Sequence, residues 1–196
     1  MSFLRFSILV IVLSSVFSVI QAQNIDIDML RSVNHQRPTG LDGSCRFISK
    51  TVTPFSLALP ASMLLVGKLR SDKPLFANGL KSGVAIVAAV SMSTVMKYGI
   101  HRERPYSRYP DIEKLSDDST PSFPSGHTTS AFCTATSLSL MYPKWYVIVP
   151  SYSWAVAVGY SRMHMGMHYP SDVLMGAIIG TASSFLSFKV QKWIGQ

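Results

Sequence analysis

Charge is what this 196-residue chain has least of: Asp, Glu, Lys and Arg make up 14% of it, against about a quarter in soluble domains. Cysteine is nearly absent. Cys45 and Cys133 are the two in the chain, too few for a disulfide framework and without metal-ligand spacing. Cys133 sits in an apolar run and reads as a buried free thiol; Cys45 lies in a polar stretch, and its pairing stays open. No cluster of His, Asp and Glu suggests a metal, so neither metal nor cofactor is expected. The net charge of +8 is scattered, with no basic run and no aromatic–basic interleaving, which excludes a nucleic-acid partner. Strict apolar–polar alternation is missing too, so half-buried strands are not expected. There is no repeat, low-complexity tract or interdomain linker, and nothing that marks an obligate protein partner.

What the chain does have is apolar length. Hydrophobic residues are 47% of it, gathered in six runs. The first, residues 3–22, follows Arg5 and ends in Gln21-Ala22-Gln23, so residues 1–22 read as a signal peptide or an uncleaved N-terminal anchor. Residues 23–52 are polar and mixed in charge and read as an exported segment of loop or short surface helix. The remaining runs are Thr51–Gly67, about Pro74–Met96, Thr128–Pro143, Trp145–Ser161 and Val173–Phe188, within a single domain spanning 53–196. All exceed strand length and read as helices. The expectation is an all-α helical bundle with six transmembrane helices, the first being the signal or anchor.

Charge placement supports a membrane. If residue 23 is outside and each later run crosses once, Lys68, Arg70, Lys73, Lys81, Lys144, Lys189 and Lys192 fall on the cytoplasmic side. The outer loop 97–125 balances five basic against five acidic residues. Tyr142, Trp145, Tyr146 and Trp193 sit at the inner boundary, as interfacial aromatics do. This topology puts the chain in the cytoplasmic membrane as a multi-pass protein; a soluble periplasmic form is the alternative.

Three polar blocks fall on the outer side of that topology. Lys97 and Arg104-Pro105 place two cations seven positions apart, two turns if the helix continues past Gly99. Pro124-Ser125-Gly126-His127 reads as a helix start, where free amides attract an anion; Ser125 adds a hydroxyl, Gly126 permits close approach and His127 offers an imidazole. In SRMHMGMHYPSD, Arg162 precedes His168, and Pro170 opens a helix from which Asp172 reaches back to fix the His168 tautomer. Residues 106–123 read as a loop over the site. His101, Arg102, Arg108 and His164 read as loop solvation or headgroup contacts, and Met163, Met165 and Met167 as lining. Each block alone has an ordinary structural explanation.

In combination, Lys-x6-Arg-Pro, Pro-Ser-Gly-His and Ser-Arg-x5-His-x3-Asp resemble the type 2 phosphatidic acid phosphatase superfamily. Its members include membrane lipid phosphatases, soluble bacterial acid phosphatases and vanadium haloperoxidases. The resemblance covers residues 97–172 and implies a helical bundle that hydrolyses phosphoesters without metal through a phosphohistidine. Residue by residue, it implies His168 as nucleophile, Asp172 as its orienting acid and His127 as the acid for the leaving group. Lys97, Arg104, Ser125, Gly126 and Arg162 are implied as phosphate-binding. The substrate expected is a phospholipid or polyprenyl phosphate or pyrophosphate, cleaved at the periplasmic face. A soluble acid phosphatase or a phosphotransferase using the same site is the alternative.

Overall fold

The computed structural model describes residues 25–194, with side chains to Val190; the expected signal or anchor lies outside the described residues. Among these, every regular element is helical. In chain order they are α1 over residues 25–34, a short 3-10 turn Thr39–Leu41, α2 Asp42–Lys50, α3 Val52–Leu69, α4 Lys73–Ile100, α5 Pro105–Arg108, α6 Gly126–Met141, α7 Trp145–His164 and α8 Pro170–Ile194. The five long helices coincide with the five apolar runs after residue 50, so the all-α expectation holds.

Helix boundaries follow local chemistry. The Asp72 side chain accepts from the Leu75 amide at 3.0 Å and starts α4, with Pro74 in its first turn. His101, at φ 50°, ends α4 in the left-handed conformation. Ser125 caps α6, and Pro170 opens α8.

α6 is the hub, packing on α8, α7, α4 and α3. It serves this role because its buried face is small: Ala131, Cys133 and Ala135 alternate with Thr128, Thr134 and Ser137. The hydroxyls are satisfied within the bundle, as where Thr134 Oγ1 donates to Ser130 O at 2.9 Å and Ser184 Oγ to Cys133 O at 2.8 Å. Gly176 and Gly180 of α8, a G-x-x-x-G pair, meet the α6 backbone directly. A Cβ on Gly176 would come 2.7 Å from Ser125 O, and one on Gly180 would overlap Thr129 O. Small residues that let helix backbones touch are the packing device of membrane helices.

Three stretches are long and apolar enough to cross a bilayer: Thr39–Leu69, Lys73–Arg108 and Pro170–Val190. The count of six spans is not reached among the described residues. α6, at 16 residues, rises about 24 Å and falls short of a hydrocarbon core of about 30 Å. α6 carries the Ser and Thr of the interior, whereas α7 exposes Trp145, Tyr146, Val149 and Val156.

Residues 25–50, within the segment read as loop or short surface helix, form the short helices α1 and α2. α1 buries Ile27 and Leu30 against Ile112 and Tyr169, and α2 buries Cys45 against Met165 and Met167. The polar faces outnumber these few apolar anchors, which is why the segment looks like loop in one dimension. Cys45 and Cys133 are both buried and free. The bundle is antiparallel, so the C-terminal ends of α4 and α7 and the N-terminal ends of α6 and α8 meet at one end. α1, α2 and the 109–125 loop cover that end.

Candidate active site

Every residue singled out by the three blocks lies at this covered end. His168 is in the turn between α7 and α8, 1% exposed, and Asp172, on the first turn of α8, is fully buried. The His168 Nδ1 is 3.5 Å from Asp172 Oδ2 and 3.4 Å from Ser122 Oγ. Its Nε2 faces Arg104 Nη1 at 3.4 Å. A guanidinium can only donate, so Nε2 carries the lone pair and the ring proton sits on Nδ1, pointing at the carboxylate. Burial, outweighing the Asp172 hydrogen bond that pulls the other way, pushes His168 from its ordinary 6.5 down to about 3. The ring is therefore neutral at physiological pH, with its free lone pair on the cationic side.

Arg104 is 4% exposed and held on all sides. Nε donates to Thr120 O at 2.8 Å, Nη1 to Met167 O at 3.0 Å, and Nη2 lies 2.6 Å from Asp118 Oδ2. Asp118 is kept below the usual carboxylate range: burial alone would raise it, but the Thr120 amide and the Arg104 charge prevail. Lys97 Nζ donates to Pro121 O at 2.5 Å. Arg162 Nη1 donates to Ser49 Oγ at 2.8 Å, while its Nε is a buried donor with no partner, a vacant hydrogen bond beside the cavity.

His127, in the first turn of α6, lines two adjoining hollows. One, about 210 Å³, is shared with Lys97, Gly126 and Ser130; the other, about 400 Å³, with Arg162, Asp118, Ser49 and Lys50. Gly126 sits open, with only Lys97 Cε near where a Cβ would be, at 3.9 Å, so an oxyanion can approach the first-turn amides. Ser125 is buried; its hydroxyl caps Thr128, and its amide donates to Asp172 O at 3.0 Å. This ties the PSGH block to the helix that carries the acid.

The expected geometry of the first block changes. Lys97 and Arg104 do not share a helix face, because α4 stops at Ile100 and the left-handed His101 turns the chain back. Arg104 is extended, and Pro105 begins the four-residue α5. Arg102 and His164 are not loop or headgroup contacts either. Arg102 Nη1 donates to Asp172 Oδ1 at 2.7 Å, and buried His164 places Nε2 2.7 Å from Asp42 Oδ1. The sequence reading also missed Asp118 and Ser122, which touch Arg104 and the His168–Asp172 pair. The only signal for Arg102 was its being a third cation in the first block. Loop residues such as Asp118 and Ser122 had none.

The fold and the site thus define a class: an α-helical bundle holding a cationic anion pocket around a neutral, carboxylate-oriented histidine. The PAP2 superfamily profile matches residues 78–196, and the chain belongs to that superfamily. It is similar to an undecaprenyl-diphosphatase of Sulfolobus acidocaldarius, 31% identical over 86% of this chain and 81% of that one. It also resembles the Bacillus subtilis undecaprenyl-diphosphatase BcrC, at 27% identity over 76% and 74% of the two chains. Among solved structures it resembles Aquifex aeolicus LpxE, with a TM-score of 0.71, 27% identity and coverage of 84% and 95%. The transmembrane PAP2-type phosphatidylglycerolphosphate phosphatase of Bacillus subtilis matches with a TM-score of 0.72 and 26% identity over 89% and 88%.

Proposed function

We propose that this protein hydrolyses a lipid phosphate or diphosphate through a phosphohistidine on His168, and that its site opens at the outer face of the cytoplasmic membrane. The enzyme class, a lipid-phosphate hydrolase, is common to the undecaprenyl-diphosphatases and the phosphatidylglycerolphosphate phosphatase. Similarity over most of the chain to two undecaprenyl-diphosphatases favours a polyprenyl diphosphate within it. The observation that carries the mechanism is the placement of the His168 ring, with Nε2 3.4 Å from Arg104 Nη1 and Nδ1 facing the Asp172 carboxylate.

In the first step Nε2 attacks phosphorus and forms the P–N bond as the P–O bond to the lipid breaks; His127, which burial and the Arg162 charge pull down to about 4 in the ligand-free protein, takes up a proton from solvent as the anionic phosphate enters and passes it to the departing oxygen. Lys97, Arg104, Arg162 and the Gly126 amide hold the charge on the non-bridging oxygens, with the orphan Arg162 Nε taking one of them. Asp172 accommodates the positive charge that His168 acquires. Water then attacks phosphorus, its proton passes to His127, and the P–N bond breaks to release phosphate. The outward orientation is supported by the basic residues at the opposite end of the bundle. The soluble alternative is disfavoured by the three apolar stretches of spanning length.

The test is phosphate release by the purified protein in detergent from a panel of polyprenyl diphosphate, phosphatidylglycerophosphate, phosphatidate and lipid A. His168→Ala should eliminate turnover while leaving the protein folded; near-normal hydrolysis would overturn the assignment. His127→Ala should slow lipid substrates more than p-nitrophenyl phosphate, whose leaving group needs no proton. Equal losses on both would remove the acid role.

A further inference from the structure

One side chain of α1 reaches the reacting end of the bundle, and no block of the signature contains it. Asp26 is 7% exposed and uses both carboxylate oxygens on site elements. Its Oδ1 accepts from the Ser171 amide at 2.9 Å, and its Oδ2 accepts from Ser171 Oγ at 2.5 Å and from Arg102 Nη2 at 2.6 Å. Ser171 is in the first turn of α8, where amides lack intrahelical acceptors. The residue before that helix is Tyr169, whose ring cannot cap it; Asp172 Oδ2 reaches back to the Tyr169 amide at 2.9 Å. Asp26 thus supplies the missing cap from 145 positions away in the chain.

The connection runs on to the nucleophile. Arg102 Nη1 donates to Asp172 Oδ1 and to Ser171 Oγ, both at 2.7 Å, and the guanidinium lies over the Tyr169 ring, 3.8 Å from its centre. Arg102 therefore bridges two carboxylates, one on α1 and one on α8. The far oxygen of the second carboxylate, Asp172 Oδ2, is the one that faces His168 Nδ1.

We propose that Asp26 is a positioning residue for phosphoryl transfer, acting on His168 through Arg102 and Asp172. The inference rests on the reading of His168 as nucleophile. Two consequences follow from the geometry. Asp26 fixes the start of α8, and so the direction of the Asp172 carboxylate. It also shares Arg102, so that the trio Asp26–Arg102–Asp172 carries a net negative charge. Without Asp26, Arg102 would neutralise Asp172 alone, leaving it less able to support the positive charge that His168 gains on attack. None of Asp26, Ser171 and Arg102 lines either hollow at His127, so the effect is expected in kcat.

The experiment uses the full chain in detergent with the lipid substrate it turns over best. Asp26→Asn should lower kcat by about 10- to 100-fold, the scale of a misplaced reacting group, with KM within about twofold. Asp26→Glu should recover most of the loss. In an Arg102→Lys background, Asp26→Asn should add little, because lysine cannot bridge both carboxylates. A kcat within twofold of the parent, a loss confined to KM, or fully additive losses in the double variant would each overturn the proposal. Should Asp26→Asn not accumulate in folded form, Arg102→Lys alone carries the test: a lowered kcat at constant KM supports the relay, and an unchanged kcat sinks it. His168→Ala separates the two levels. Turnover by that variant removes the nucleophile assignment, whereas an inert His168→Ala beside a normal Asp26→Asn removes only the positioning role.

Discussion

His168 shows how its surroundings set the state of a single imidazole. Its one proton is directed to Asp172 and Ser122, its lone pair toward Arg104, and full burial keeps the ring uncharged. Holding an uncharged histidine has a consequence for stability. In the unfolded chain the ring takes up a proton near 6.5; in the folded protein it resists until about 3. The folded-state value is depressed, so the stability linked to this group is complete above about pH 6.5 and is lost progressively as pH falls toward 3. The charged groups facing the ring, Arg104, Arg162 and Asp172, are already included in that shift. The thermal midpoint of the ligand-free protein should therefore fall between pH 6.5 and pH 4.5. A His168→Gln variant, with nothing to protonate at that position, should show a shallower fall. Parallel curves for the two proteins would mean that His168 is not held neutral.

At the level of elements, the long helices were readable because their apolar runs exceed strand length, and the starts of α6 and α8 because Ser125 and Pro170 are strong local signals. Where reading failed, the deciding contact was remote or a single dihedral angle. His101 adopts φ 50°, and that alone takes Arg104 off the α4 face and into the cage formed by Asp118, Thr120 and Met167. Where α1 and α2 dock was hidden because each buries only a few apolar side chains, while Asp26, Asn34 and Asp42 bond to residues far away in the chain. The close approach of α6 and α8 was likewise out of view, although Gly176 and Gly180 carried its signature. That contact is testable. Gly180→Ala forces a Cβ onto the carbonyl of Thr129 and should destabilise the protein by about 1–3 kcal/mol, the usual cost of overpacking. Gly99→Ala, with nothing within 4 Å, should be neutral or slightly stabilising as a helix substitution. Thermal midpoints of the two variants in the same detergent measure the difference; equal midpoints would show that α6 and α8 part readily.

Across the whole molecule, polar chemistry and apolar surface occupy different regions. The covered end holds the buried charges, whereas the flanks of α3, α4 and α8 expose Leu57, Leu65, Val84, Val87, Val95, Leu174 and Leu186. A soluble protein does not carry that much contiguous apolar surface without a partner, and on three stretches of spanning length the natural cover is lipid. The same division accounts for α6. It is too short to cross comfortably alone, yet it is surrounded by α3, α4, α7 and α8 and can hold the anion pocket without meeting hydrocarbon. Lipid contact and the polar site thus fall to separate regions of the bundle, the flanks of α3, α4 and α8 on one hand and the covered end on the other, which predicts how charge is tolerated at each place. Val87 lies mid-way along α4, 66% exposed and far from Lys97. In water an arginine there would be harmless. In a bilayer it costs about 2.5–3.5 kcal/mol on insertion scales, so Val87→Arg should sharply lower the amount of protein recovered in the membrane fraction after carbonate washing. The molecules that do insert should keep normal turnover, because the pocket is untouched. Undiminished membrane recovery of Val87→Arg would show that this face of α4 is covered by something other than lipid.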